Sequence, residues 1–332
     1  MKPVFNLTAD DVNITDAIAD RMISITSTDS AGFKSDTLSI KLDNRDYAIE
    51  LPRKGALLKY ALGYEGAGFT HIGIFTVDEI STASSASGRT LTIKAKAADM
   101  RKSLKRRKTR LWNDTTLGGI VEQIAKEHGL TPRISDQLAD IDPAPIPYRQ
   151  INQTNENDMH FLRRLALQYD AVAKPVSGYL VFVPMGEAKS VSGEDIAAQN
   201  IAEKNVSSWS VRAPDRGKYK SVQANWINPD TQLTQAVVAG AGEPTHVMRH
   251  IYADGETALS AANARLSALE RGKSTITITM MGNASMAAEG GLIFTTDDPL
   301  ARGAWSMTRV EHDLSKSGFI TRIDGETPKE KK

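Results

Sequence analysis

Residues 56–97 read ALLKYALGYEGAGFTHIGIFTVDEISTASSASGRTLTIKAKA. Three apolar runs stand out in it, ALLKYALGY, IGIFTVDEI and RTLTIKAKA, and the breaks between them, YEGAG and SSASG, are rich in glycine and serine. Alternation with a period of two, punctuated by turn residues at this spacing, specifies antiparallel strands. Toward the N-terminus the pattern continues: MISITST, DTLSIKLD and YAIEL are separated by TDSAG, LDNRD and PRKG. The stretch from Arg21 to Ala97 therefore predicts a barrel or sandwich. We expect a first β domain over residues 1–99.

Downstream of Ala98 the character changes to a basic segment, RKSLKRRKTR at residues 101–110, followed by Trp112. NDTTLGGIVEQIAKEHGL then predicts a helix. Asn113 or Asp114 can cap it, Leu117, Ile120, Val121, Ile124 and Ala125 build one apolar stripe, and Gly129 supplies the left-handed stop. NENDMHFLRRLALQYD predicts a second helix with Asn155 as cap, Asp158 at its third position, and Phe161, Leu162, Leu165 and Ala166 inward. The proline-rich IDPAPIPYRQI between them reads as an extended connector, and AVAKPVSGYLVFVP as a hairpin turning at Ser177 and Gly178. Residues 100–190 are thus expected to form a small α+β domain.

A polar lead, GEAKSVSGEDIAAQNIAEKN, opens a third region in which strands return: VSSWSVRA, YKSVQANWIN, QLTQAVVAG and VMRHIY. One helix, ETALSAANARLSALERG, interrupts them, with Ala258, Leu259, Ala262, Leu266 and Leu269 inward and Gly272 ending it. KSTITITMMG resumes strict alternation, and GLIFTT, AWSMTRVEHDL and GFITRIDG complete the set. A second β domain is expected over residues 191–326, before a charged tail at 327–332 that should be disordered. The order β, α+β, β predicts an α+β fold that is mainly β, and no strong repeat links its two β regions.

Composition narrows the chemistry. The chain has 332 residues, 40% hydrophobic and 24% charged, with a formal net charge of +1 and no cysteine. It is long enough for two or three domains. Absence of cysteine removes disulfides, thiolate metal sites and cysteine nucleophiles together. The near-neutral balance leaves any electrostatic role to a local patch. The first residues, MKPVFNLTADDVN, lack a signal-peptide apolar stretch, and no run of about 18 apolar residues could span a bilayer.

No catalytic residue, cofactor or metal site is expected. His246 and His250 form an H-x-x-x-H, but Val247 replaces the glutamate of a metalloprotease, and HVMRHIY reads as a strand. Residues four apart on a strand lie about 13 Å apart and cannot share one zinc. There is no nucleophile elbow, phosphate-binding loop or dinucleotide fingerprint. Glu122 and Glu127, or Asp297 and Asp298, are carboxylate pairs that could do acid/base work on a glycan, but Glu122 with Lys126 one turn on reads as a solvated helix face, and Asp297 and Asp298 before Pro299 read as a turn. The candidate electrostatic interface is Arg101, Lys102, Lys105, Arg106, Arg107, Lys108 and Arg110. A solvated helix or linker face competes with that role. Nothing beside the segment resembles a sequence-specific nucleic-acid reader.

Several segments taken in order resemble the phage late control protein D family, the baseplate hubs of contractile tails. TDSAGFKSDTLSIKLDN, LPRKGALLKYALGY and IGIFTVDEI resemble its N-terminal part. RLWNDTTLGGIVEQIAKEHGL and YRQINQTNENDMHFLRRLALQYDAVAKPVSGYLVFVP resemble its middle, and the hub segment of VgrG spike proteins of type VI secretion. RGAWSMTRVEHDLSKSGFITRID resembles its closing pattern.

The resemblance implies two similar antiparallel β-barrel-like domains flanking a smaller α+β insert, and a homotrimer whose six barrels adapt a sixfold tail tube to a threefold spike. Implied partners are a separate spike protein, the tail tube, and the tape-measure and baseplate wedge proteins, with no membrane partner before infection. The implied location is the virion baseplate, after assembly in the host cytoplasm. Two other classes compete. TLGGIVEQIAKEHGL resembles the helix of a peptidoglycan-binding LysM module, which would make the chain a wall-binding or wall-degrading tail part. Residues 101–110 would suit nucleic-acid phosphates.

Overall fold

The computed structural model describes residues 1–32, 34–86, 88–97, 104, 106–144, 150–176, 178–185, 198–214, 219–271 and 273–328. Several expectations lie wholly or partly outside the described residues: Arg101, Lys102 and Lys105 as interface, residues 145–149 of the proline-rich connector, Ser177 as a turn, residues 186–197 of the polar lead, Gly272 as a helix stop, and the end of the tail at 329–332.

Alternation becomes strand through most of the chain. The N-terminal region holds β1 (Pro3–Ala9), β2 (Val12–Asn13), α1 (Thr15–Ala19), β3 (Met22–Ser30), β4 (Thr37–Asp43), β5 (Leu57–Tyr64), β6 (Gly68–Ser85) and β7 (Gly88–Ala97). The middle holds β8 (Arg107–Asn113), α2 (Leu117–Glu127), β9 (Thr131–Ile134), α3 (Asp136–Ala139), β10 (Gln150–Asn157), α4 (Asp158–Gln168), β11 (Ala171–Val176) and β12 (Tyr179–Pro184). The C-terminal region holds β13 (Gln199–Ala202), β14 (Val206–Arg212), β15 (Ser221–Ile227), β16 (Thr234–Gly240), β17 (Thr245–Tyr252), α5 (Gly255–Glu270), β18 (Thr275–Met281), β19 (Gly291–Thr295), β20 (Gly303–Ser315) and β21 (Gly318–Glu326). The fold is α+β and mainly β. No described helix is long and apolar enough to cross a membrane.

These elements form two compact units that do not follow three consecutive spans. The first takes Met1–Met100, Ala197–Val211 and Ile276–Gly325, and the second takes Arg101–Ile196, Arg212–Thr275 and Glu326–Lys332. Compared with the boundaries expected at 99, 190 and 326, the difference has a hydrogen-bonding cause. β20 pairs antiparallel with β3, from Arg309 opposite Ser30 to Ser315 opposite Ser24, so the first and last β regions share a ladder. Among the described residues β15, β16 and β17 pair only with one another, and they fall into the second unit.

In the first unit one sheet runs β14-β18-β21-β20-β3-β4-β7-β6-β5-β1-β2, with β19 on β20 and β13 on β19. It carries two separate apolar cores. One gathers Leu7, Ile25, Leu38, Ile40, Leu58, Tyr60, Leu62 and Leu91 from the N-terminal strands. The other gathers Ile201, Ile276, Ile278, Leu292, Phe294, Trp305, Met307, Val310 and Ile323. Each fully buried aliphatic side chain contributes about 1.5–3 kcal/mol, so each cluster is a core in its own right. β20 serves both, giving Trp305, Met307 and Val310 to the second and Leu314 to the first.

His312, also on β20, stands between the cores and is 3% exposed. Its Nε2 lies 3.2 Å from the Met286 carbonyl and its Nδ1 3.0 Å from Thr321 Oγ1, so Nε2 donates and Nδ1 accepts the hydroxyl proton. Phe319 of the first core meets its ring edge to face. Burial depresses its pKa to about 4, despite the Met286 hydrogen bond.

YAIEL, expected as a strand, is a loop. Asp43 accepts the Arg45 N–H at 3.0 Å and Asp46 the Ala48 N–H at 3.2 Å, and these local bonds bend the backbone away from any ladder. Tyr47 takes a φ of +59° and is exposed. β1, absent from the sequence reading, pairs with β5 along its full length.

In the second unit β8 pairs with β10, β12 lies between β11 and β9, and α2 and α4 bury the apolar stripes expected of them. Two caps differ from expectation. Thr116 caps α2, taking the Gly119 N–H at 3.2 Å, because Asn113 is the last residue of β8. Asn157 caps α4 through the His160 N–H at 2.8 Å, because Asn155 lies within β10 at a φ of +49°. α5 lays Ala258, Ala262 and Leu266 on β15 and β16, but Leu259, expected inward, is exposed. At the far end of α5, buried Arg271 makes a bidentate pair with Asp170, which tops α4.

Candidate functional site

Strand geometry sorts the basic segment. Because β8 is a strand, alternate side chains face opposite ways: Lys108, Arg110 and Trp112 turn inward, while Arg107, Thr109 and Leu111 turn to solvent. Antiparallel β10 sets Gln153 opposite Arg110 and Ile151 opposite Trp112. Trp112 stacks on Phe161 of α4 at 5.7 Å, and the Arg110 guanidinium lies over the indole, 4.2 Å from its centre.

Below this stack lies a closed charge network. Lys108 Nζ donates at 2.7 Å to both Glu127 Oε2 and Asp158 Oδ2. Arg110 reaches Glu127 Oε1 at 2.6 Å through Nη1, Asp158 Oδ1 at 2.8 Å through Nη2, and Gln153 Oε1 at 2.8 Å through Nε. Gln153 Nε2 donates to Asp158 Oδ1 at 2.8 Å, and His128 Nε2 lies 2.7 Å from Asp158 Oδ2. Two cations meet two carboxylates, and Asp158, completely buried, is the hub of the bonds.

Burial by itself would raise the Asp158 pKa. Hydrogen bonds from Gln153, Lys108 and His128 and the Arg110 charge outweigh it and hold the carboxyl below its usual range. Glu127 behaves alike: burial is outweighed by Lys108, Arg110 and Gln123, and its pKa is lowered. Lys108 responds in the opposite sense, its pKa raised by Asp158 and Glu127 against burial.

Glu127, His128 and Asp158 present ligand atoms within 4.8 Å of one another, as a metal site would. The Lys108 ammonium already bridges the two carboxylates, so the place of a cation is taken by the protein's own charge. Nor can Asp158 meet a substrate, being sealed from solvent. The arrangement is a structural brace that ties β8, α2, β10 and α4 together.

Of the interface residues named from sequence, Lys108 and Arg110 therefore spend their charge inside the fold, and Arg106 and Arg107 face outward. Glu122 forms no ion pair with Lys126 among the described residues; Glu127 is the paired acid of α2. His246 and His250 fall on β17, where each meets a tyrosine ring, Tyr219 and Tyr252 respectively. Asp298 accepts the Leu300 N–H at 2.8 Å, the turn expected there. Sequence reasoning missed Gln153 and His128, and weighed Glu127 only as a carboxylate paired with Glu122, not as a partner of Lys108 and Arg110. The one signal available was the K-T-R-L-W alternation running into a tryptophan.

Comparison with known proteins gives this architecture a family. The model of the phage tail baseplate hub (GPD) family matches residues 71–318. A probable baseplate hub protein of Escherichia phage 186 is 31% identical, covering 98% of this chain and 92% of the relative. The fold is similar to that of a 43 kDa tail protein of prophage MuSo2 from Shewanella oneidensis, with a TM-score of 0.68, 14% identity and 97% of each chain covered. It is also similar to an E. coli protein described as a component of the type VI secretion system, at a TM-score of 0.55, 10% identity, and 94% and 74% of the two chains covered. With its motifs in order, its fold shared and its family model matched over more than half its length, this chain belongs to the phage tail baseplate hub (GPD) family.

Proposed function

We propose that three copies of this hub close into a ring that carries the sixfold symmetry of a tail tube to a threefold spike, as a mechanical joint without catalysis. The observation that carries the reading is the pair of apolar cores on one continuous sheet. If each core marks one look-alike module, a chain supplies two and a trimer six. A closed ring needs a head-to-tail interface repeated by rotation, which three copies of one chain can supply. Large, permanent interfaces of that kind suit a part that must survive contraction.

Its partners in this reading are the spike, the tail tube, and the tape-measure and wedge proteins, met in the host cytoplasm during assembly. Outward Arg106 and Arg107, with Arg101, Lys102 and Lys105, are proposed to steer an acidic partner surface. Lys108 and Arg110 act in this only by bracing the strand that presents them.

Sedimentation velocity of the purified chain with its spike protein tests the ring. Complexes holding three hub copies are expected, and a hub that stays monomeric beside excess spike would overturn the proposal. A peptidoglycan zymogram should show no clearing; clearing would end the purely mechanical reading.

A further inference from the structure

In the second unit a half-open cleft of about 730 Å³ runs between α5 and β17 on one side and α4 and the start of β10 on the other. That size suits a small ligand or a short peptide stretch. α5 turns a stripe of small side chains to it, Ala261, Ala264 and Ala268, three and four residues apart. β17 gives Met248, His250 and Tyr252.

Two features say what the cleft accepts. β17 ends its sheet: it pairs with β15 on one side, and its other edge has no strand neighbour among the described residues. Exposed edges are normally blunted by charged side chains, proline, β-bulges or shortness. β17 is eight residues long and reads THVMRHIY, with neither lysine nor proline; its register against β15 shifts between Val247 and Ile251, and these two side chains are about half exposed, so the edge is only partly blunted. Charge is the second feature. Asp170 and Arg271 at the cleft neutralise each other, and Arg164 is engaged by Glu156 at 3.0 Å. Arg265 and His250 also line it, with no carboxylate partner among the described residues. The cleft is therefore apolar along the alanine stripe of α5 and positive at Arg265.

We infer that the free edge of β17 and this cleft together take an extended peptide segment of a partner protein, added as a further strand. Main-chain hydrogen bonds to β17 hold it, and its alternate side chains enter the cleft. One of those is apolar and lies against Ala264 and Ala268; the next is a carboxylate that meets Arg265 and His250. This goes beyond the ring reading and does not depend on it, since the surface would serve a hub of any stoichiometry.

The test is fluorescence polarisation of the full chain with the labelled, end-blocked peptide TLTETLTV, its copy with lysine for glutamate, and its copy with proline for both threonines that flank the glutamate. Saturable binding of the first is expected, about tenfold weaker for the lysine copy, and absent for the proline copy, which cannot donate to the ladder. Arg265→Glu should reverse the preference between acidic and basic peptides. Ala268→Trp, at an exposed helix position, should fill the cleft and abolish binding while the unfolding temperature stays unchanged. No saturable binding, equal binding of all three peptides, or binding untouched by Ala268→Trp would overturn the inference. So would self-association of the chain that Ala268→Trp removes, because the occupant would then be a second copy.

Discussion

In the sheet unit His312 is buried uncharged, satisfied by a carbonyl and a hydroxyl between two apolar cores; in the helical unit Asp158 is buried charged, satisfied by two cations, a histidine and an amide. Both solutions leave no polar atom of these side chains unpaired. They differ in what holds the fold. The sheet unit rests on alternating apolar side chains and tolerates neutral polar inserts such as His312 and Thr321. The helical unit, whose β8 carries basic residues inward, must bring carboxylates to them from α2 and α4. A charged strand can be core if its neighbours supply the opposite sign, but it is then costly to break.

The largest effect should come from removing the centre of that network. Asp158→Ala strands Lys108 and Arg110 beside a single carboxylate, and about 3–5 kcal/mol of stability should be lost, read as the urea midpoint of the helical unit. A loss below about 1 kcal/mol would mean the network is decorative.

The two units should also part on acidification. The folded state refuses His312 a proton that the unfolded state takes up at the ordinary pKa of 6.5, so stability falls as pH drops from about 6.5 toward 4 and then levels off. The full loss is about 3 kcal/mol. His312→Gln should flatten that window, followed by near-ultraviolet circular dichroism across pH. Asp158 and Glu127, held below their usual range, act later: their stabilisation is intact above the unfolded carboxylate pKa and is lost as pH falls through the lowered folded values. Mild acid should therefore loosen the sheet unit first.

Smaller changes sharpen the contrast between inward and outward residues. Asn157→Ala removes the cap of α4 next to the network and should cost about 1 kcal/mol. Arg107→Ala, one residue from Lys108 but facing solvent, should change stability by less than about 0.5 kcal/mol. Equal costs at Arg107 and Lys108 would contradict the alternation on which the site rests.

These contrasts follow what was legible in the sequence. MISITST, DTLSIKLD and RTLTIKAKA announce strands because their apolar residues repeat every second position, and α2 shows its stripe for the equivalent helical reason. β8 hid because both of its faces carry basic residues, so polarity does not alternate although direction does. The network hid because Lys108, Glu127, Gln153 and Asp158 are brought together by tertiary packing, and Asp158 alone looks like an ordinary acid at a helix start. The β3–β20 ladder joins Thr28 to Glu311 and Thr26 to Asp313, separations that no local pattern encodes. That ladder merges what reads as two distant domains into one sheet, while the two cores keep them distinct.

As a component of the tail baseplate in the virion, the hub is best judged in its assembly. Electron cryomicroscopy of the chain bound to its spike protein measures the central claim directly. The account predicts a threefold ring whose tube-facing side shows six lobes of alike shape, each centred on one of the two cores. A ring of any other order, or three lobes with unlike material between them, would contradict it.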